Sequence, residues 1–102
     1  MLQIRPNCEL CDRDLAPDST NARICSYECT FCANCVDTEL HNVCPNCGGG
    51  FLARPIRPGA ERRSGTSLEH QPASSNRVYS AYNREHIHEF VNGVKDIPAE
   101  QR

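Results

Sequence analysis

Eight cysteines fall between Cys8 and Cys47, and none lies elsewhere in the 102-residue chain. Two residues separate Cys8 from Cys11, Cys32 from Cys35 and Cys44 from Cys47, while three separate Cys25 from Cys29. A turn that short brings both sulfurs to one point, so the pattern reads as four ligand pairs for two tetrahedral zinc ions. A disulfide framework would suit a secreted chain, but Met1 to Pro6 shows no basic region followed by an apolar run, and a cytoplasmic location is expected. Redox use of a Cys-x-x-Cys pair wants one motif in a βαβ context, whereas here the motif recurs without it. Iron–sulfur ligation also uses four thiolates, but the familiar cluster spacings differ from this one.

Composition points to a metal as well. Residues 1–58 contain Phe31, Phe51 and Tyr27 as their only aromatic side chains, with scattered aliphatic residues. That is too little apolar surface to offset the chain entropy lost on folding. Zinc held by four thiolates can contribute about 10 kcal/mol or more. Without it, this part of the chain is expected to be largely unfolded. Four thiolates also close the coordination sphere to water and substrate, so the metal is expected to be scaffolding and the chain non-catalytic.

The order of the cysteines resembles the cross-brace of RING domains, in a variant with cysteine in place of the usual histidine. The resemblance covers about the first half of the chain. It implies that Cys8, Cys11, Cys32 and Cys35 share one zinc, and that Cys25, Cys29, Cys44 and Cys47 share the other; two sequential sites are the alternative. Leu10, Phe31 and Pro45 occupy positions beside the ligands that agree with the family. In ubiquitin-ligase RINGs the positions of Leu10 and Pro45 touch a conjugating enzyme. The same residues have a structural reading, in which Pro45 and Gly48 shape the last knuckle and Leu10 and Phe31 cover sulfurs. The chain departs from the ligases in lacking tryptophan, with Leu40 as the nearest apolar substitute, and in carrying Gly48-Gly49-Gly50 where many have a basic residue.

The chain is also similar, over nearly its full length, to small bacterial cysteine-rich proteins of unknown function. The likeness lies in Arg5-Pro6-Asn7-Cys8, Cys29-Thr30-Phe31-Cys32-Ala33, Cys44-Pro45-Asn46-Cys47-Gly48-Gly49 and Arg54-Pro55-Ile56-Arg57-Pro58. It implies a metal-binding module from organisms that mostly lack ubiquitin.

The expected fold is a small zinc-stabilised α+β module over 1–58, RING-like, with one short hairpin and one short helix. Ala22-Arg23-Ile24 and Thr30-Phe31 suit the hairpin strands, and Ala33 to His41 carries Val36 and Leu40 at helical spacing. Eight cysteines complete two sites, which leaves His41 as an exposed helix-end residue. Residues 59–79 are rich in Ser, Gly, Pro, Gln, Asn and charge, with Leu68 and Val78 as the large apolar side chains, and are expected to be a flexible linker with His70 solvated.

A separate amphipathic helix is expected over 80–97, capped by Ser80 and barred by Pro98. Ile87, Phe90, Val91 and Val94 follow the i, i+3, i+4, i+7 rule and form one apolar stripe. A helix this short is marginal alone, so the stripe must dock on the zinc module, a second copy or another protein. His86 and His88 face different sides of such a helix, which argues against a shared metal.

Charge bears on the class of partner. Residues 1–58 hold five arginines against seven acids, and zinc tetrathiolates add further negative charge. A polyanion would be repelled, and the clustered basic and aromatic residues of nucleic-acid binders are missing. There is no apolar run long enough to span a membrane. The expected function is a zinc-binding adaptor that recognises a protein partner, with Leu10, Leu40, Pro45 and the helical stripe as candidate contacts. A RING-type ubiquitin ligase is the alternative.

Overall fold

The computed structural model describes all residues from Met1 to Arg102. Strand β1 (Ala22–Ile24) and strand β2 (Thr30–Cys32) pair antiparallel with Arg23 opposite Phe31, forming the expected hairpin. A third strand not anticipated from the sequence, β3 (Leu52–Ala53), pairs antiparallel with the other edge of β1, giving the order β2-β1-β3. Two residues are too few to show an alternating pattern. Cys32 ends β2 and caps the helical turn α1 (Ala33–Cys35), its sulfur accepting the Cys35 N–H at 3.4 Å. The chain then widens into a π turn, Val36–Leu40, and stops at His41, whose left-handed backbone (φ 47°) ends it. That exposed histidine sits where the helical spacing put it.

The core is small and threaded with cysteine. Phe31 and Phe51 meet edge to face at 5.4 Å between centroids, and Leu40, Val43, Val36 and Leu15 close around them. Buried cysteines complete the cluster, as a chain with so few large apolar residues requires.

Helix α2 (Arg84–Val94) joins this same core. It begins later than expected, because the cap is Asn83, whose Oδ1 accepts the His86 N–H at 2.8 Å. Ser80 is engaged elsewhere: its N–H donates to the Glu9 carbonyl at 3.0 Å and its hydroxyl to Asn46 Oδ1 at 3.2 Å. Ile87 and Val91 are each 1% exposed, and Phe90 and Val94 pack against the core half-buried. The apolar stripe thus lies against the cysteine-rich module. At its polar edge Glu39 meets His88 at 2.8 Å and Arg84 at 3.8 Å.

Residues 59–79 contain no strand or helix, although an isolated bridge pairs Arg63 with Thr66. They are nonetheless tied to the module at specific points. Arg57 donates to the carbonyls of Gln71 and Leu2, the Asn7 amide exchanges two hydrogen bonds with the Val78 backbone, and Arg77 meets Asp12 and Asp14. His70 is bonded at Nδ1 to the Ser67 hydroxyl.

Candidate metal centre

Equal spacing produces equal local structure at two of the four cysteine pairs. In residues 8–13 the Cys8 N–H donates to the Arg13 carbonyl and the Asp12 N–H to the Cys8 carbonyl. In residues 44–49 the Cys44 N–H donates to the Gly49 carbonyl and the Gly48 N–H to the Cys44 carbonyl, the same two bonds. The residue after the second cysteine is left-handed in each knuckle: Gly48 at φ 82° and Asp12 at φ 65°. Glycine takes that conformation freely, and aspartate is among the side chains that tolerate it.

The hairpin supplies the other pairs. Cys25 and Cys29 sit at its turn, where the Cys25 N–H donates to the Cys29 carbonyl at 3.2 Å. Cys32 and Cys35 follow at its exit, on the end of β2 and the turn of α1.

The structure gathers the eight sulfurs into two groups. Those of Cys8, Cys11, Cys32 and Cys35 all lie within 4.8 Å of one another, with Cys11 and Cys32 separated by 3.8 Å. Those of Cys25, Cys44 and Cys47 form the second group by the same measure. Cys29 is buried next to it, close enough to Cys25 and Asn46 for side-chain hydrogen bonding, but its sulfur lies outside the tight set of three. Cys8 and Cys11 join Cys32 and Cys35, and Cys25 joins Cys44 and Cys47, so the groups are crossed along the chain. One cysteine in each group, Cys11 or Cys47, is exposed.

The electrostatics of these groups are those of crowded, buried thiols, an arrangement that could hold a cation. Burial, followed by neighbouring thiolates, pushes the Cys35 and Cys44 thiols far above their ordinary range. Burial likewise raises Cys8 and Cys29. At Cys11 burial acts in the same direction but is outweighed by the Arg13 N–H and by neighbouring thiols, and the net shift is downward. Several thiolates so close together repel one another unless a cation lies between them. A divalent ion reverses that balance and displaces the protons. Backbone N–H groups of Tyr27, Cys35 and Gly49 point at the sulfurs of Cys25, Cys32 and Cys47 at 3.3, 3.4 and 3.4 Å.

DUF1272, a family described as protein of unknown function, matches residues 1–57. The chain belongs to this family. It is 55% identical over 78 residues to the uncharacterized protein R02474 of Rhizobium meliloti (strain 1021), which covers 76% of this chain and 86% of that protein. No solved structure matches it. The DUF1272 match ends at Arg57, the second of two arginines that close the module. Arg54 is 3% exposed and donates to the carbonyls of Arg5 and Ala16 at 2.8 and 3.0 Å. The Arg54-Pro55-Ile56-Arg57 exit therefore ties the amino-terminal strand of chain to the sheet.

Glu9 was not anticipated. It lies between Cys8 and Cys11 yet is only 4% exposed. Its carboxylate accepts from the Thr30 N–H at 2.5 Å, from Asn46 Nδ2 at 3.3 Å and from Arg5 Nη1 at 2.8 Å. A knuckle of the first group is thereby fastened both to the hairpin and to the knuckle of the second. No pattern in the sequence distinguishes this glutamate from a solvated one.

The residues expected to meet a partner are mostly internal. Leu40, Pro45, Ile87 and Val91 are buried, and Leu10, Phe90 and Val94 pack on the core in part. Among the large apolar side chains that do face solvent, Tyr27, Leu52 and Ile56 on the cysteine-rich module are 72%, 80% and 51% exposed, and Met1, Tyr79, Tyr82 and Ile97 are exposed as well. Leu52 also lines an apolar groove of about 330 Å³ with Ile24, Ala53 and Pro55.

Proposed function

We propose that the protein is a two-zinc, non-catalytic interaction module that acts as a cytoplasmic adaptor for another protein. The observation that carries the metal is the convergence of the Cys8, Cys11, Cys32 and Cys35 sulfurs within 4.8 Å. An all-thiolate set suits zinc, and four such ligands leave no open coordination position for chemistry. The second ion takes Cys25, Cys29, Cys44 and Cys47, Cys29 closing onto the other three. The crossed grouping supports the RING-like reading of the module.

The adaptor reading is favoured over the ubiquitin-ligase reading because two of the side chains a conjugating enzyme would need, Leu40 and Pro45, are buried. Helix α2 packs against the π turn that carries Leu40. The bacterial relative points the same way. For the partner, the exposed apolar face around Leu52 and Ile56 is the natural contact. Elemental analysis of the purified protein should give two zinc ions per chain; one ion, or iron, would overturn the metal assignment. Zinc-loaded wild type should retain a protein from an extract of its own organism, and Leu52→Glu should lose it. Equal retention by both would defeat the adaptor surface.

A further inference from the structure

Besides the π turn and Glu9, the carboxy-terminal segment rests on the second knuckle. Phe90 lies over Gly48: a Cβ placed on that glycine would stand 3.4 Å from the ring's Cζ. Arg102 donates to the carbonyls of Asn42 and Gly48 at 2.7 and 3.2 Å. The Ser80 hydroxyl donates to Asn46, and the methyl of Ala99 lies 3.3 Å from where a Cβ on Gly50 would be. Residues from both ends of the 80–102 segment, and from its helix, thus rest on residues 42–50. The shape of 42–50 is set by Cys44 and Cys47.

The two cysteine groups are unequal. Four sulfurs converge in the first, while in the second three converge and Cys29 stands apart, next to the left-handed Glu28 (φ 67°). A ligand that must be drawn in from outside the set adds less to affinity than one already in place.

We propose that the second zinc is the exchangeable one and that its loss releases residues 80–102 from the module, so that docking of α2 reports zinc supply. The proposal rests on the two-zinc reading. Release would uncover the apolar faces of Ile87, Val91, Leu40 and Val43, which are now buried together. The first group, held by the knuckle at Cys8 and Cys11 and by Cys32 and Cys35 on β2 and α1, meets the 80–102 segment through the Ser80 N–H on the Glu9 carbonyl, and it keeps its ion and the hairpin. Because coupling is reciprocal, weakening the helix contact must loosen the second zinc by the same factor.

The test uses full-length zinc-loaded protein titrated with EDTA, with ion count followed by native mass spectrometry and amide protection by hydrogen exchange. The expected one-zinc species has lost protection at Ile87 and Val91 and kept it at Phe31. Phe90→Ala should speed extraction of one ion about fivefold or more and leave the other unchanged. Loss of both ions in a single step, a one-zinc species with α2 still protected, or equal extraction from Phe90→Ala and wild type would overturn the switch while leaving the two-zinc reading intact. Fewer than two ions in the untreated protein would sink both.

Discussion

Glu9 shows how one side chain can couple two cysteine groups without belonging to either. Its carboxylate spans the Thr30 N–H, the Asn46 amide and the Arg5 guanidinium, each belonging to a different segment of the module. Replacing Glu9 with Ala leaves a buried N–H without an acceptor and should lower the stability of the zinc-loaded protein by about 3 kcal/mol. Urea unfolding at fixed free zinc checks this, and a loss under about 1 kcal/mol would mean that solvent takes over its bonds. Asp12 makes an opposite kind of contact, exposed and tunable. The Arg77 guanidinium, through its hydrogen bonds, holds the Asp12 carboxyl below the ordinary range and is itself shifted upward by Asp12 and Asp14. A depressed carboxyl pKa stabilises above the unfolded value, about 3.9, and that contribution is lost as pH falls through the folded value. Acidification below about pH 4 should therefore free the Arg77 side chain, seen as loss of its slowly exchanging Nε–H signal, while the cysteine knuckles respond to protons through their own thiols.

The elements differ in how far the chain announces them. The stripe Ile87, Phe90, Val91 and Val94 is visible because four apolar residues at helical spacing are improbable on a solvated coil, and two of the four are fully buried on the module. Its start is less visible, since Ser80 and Asn83 are both good caps and only the docked structure shows that Ser80 is occupied by Glu9 and Asn46. The hairpin is legible for a different reason: its strands lead directly into Cys25 and Cys32. Strand β3 and the contacts of 59–79 are not, because two-residue pairing and arginine-to-carbonyl bonds leave no periodic trace. Docking of α2 predicts that Ile87→Ala, which removes a side chain 1% exposed, costs about 2 to 4 kcal/mol by thermal unfolding of the zinc-loaded protein, with its solution mass unchanged. A near-zero cost together with loss of a dimer would instead place the stripe between two chains.

Taken together, the segments form a body 46 × 26 × 18 Å across whose small core cannot be separated from its thiols. Cadmium-substituted protein should show one metal coupled to Cys8, Cys11, Cys32 and Cys35; coupling of that metal to Cys25 and Cys29 would replace the crossed sites by sequential ones. Because burial holds Cys8, Cys35 and Cys44 protonated until an ion displaces the protons, apparent zinc affinity should fall at least about tenfold per pH unit on acidification, measured by competition with a chromogenic chelator. The crossed grouping also bears on synthesis. A chain emerging from the ribosome presents Cys25 and Cys29 before the first set is complete, and that set waits for Cys35. Once an ion joins Cys11 to Cys32, Cys25 and Cys29 are confined to a closed loop, and the later arrival of Cys44 and Cys47 has less chain entropy to overcome. On the two-zinc proposal the first ion therefore prepares the ground for the second, and a cell short of zinc should accumulate chains with the hairpin folded and the carboxy-terminal helix still searching for its seat.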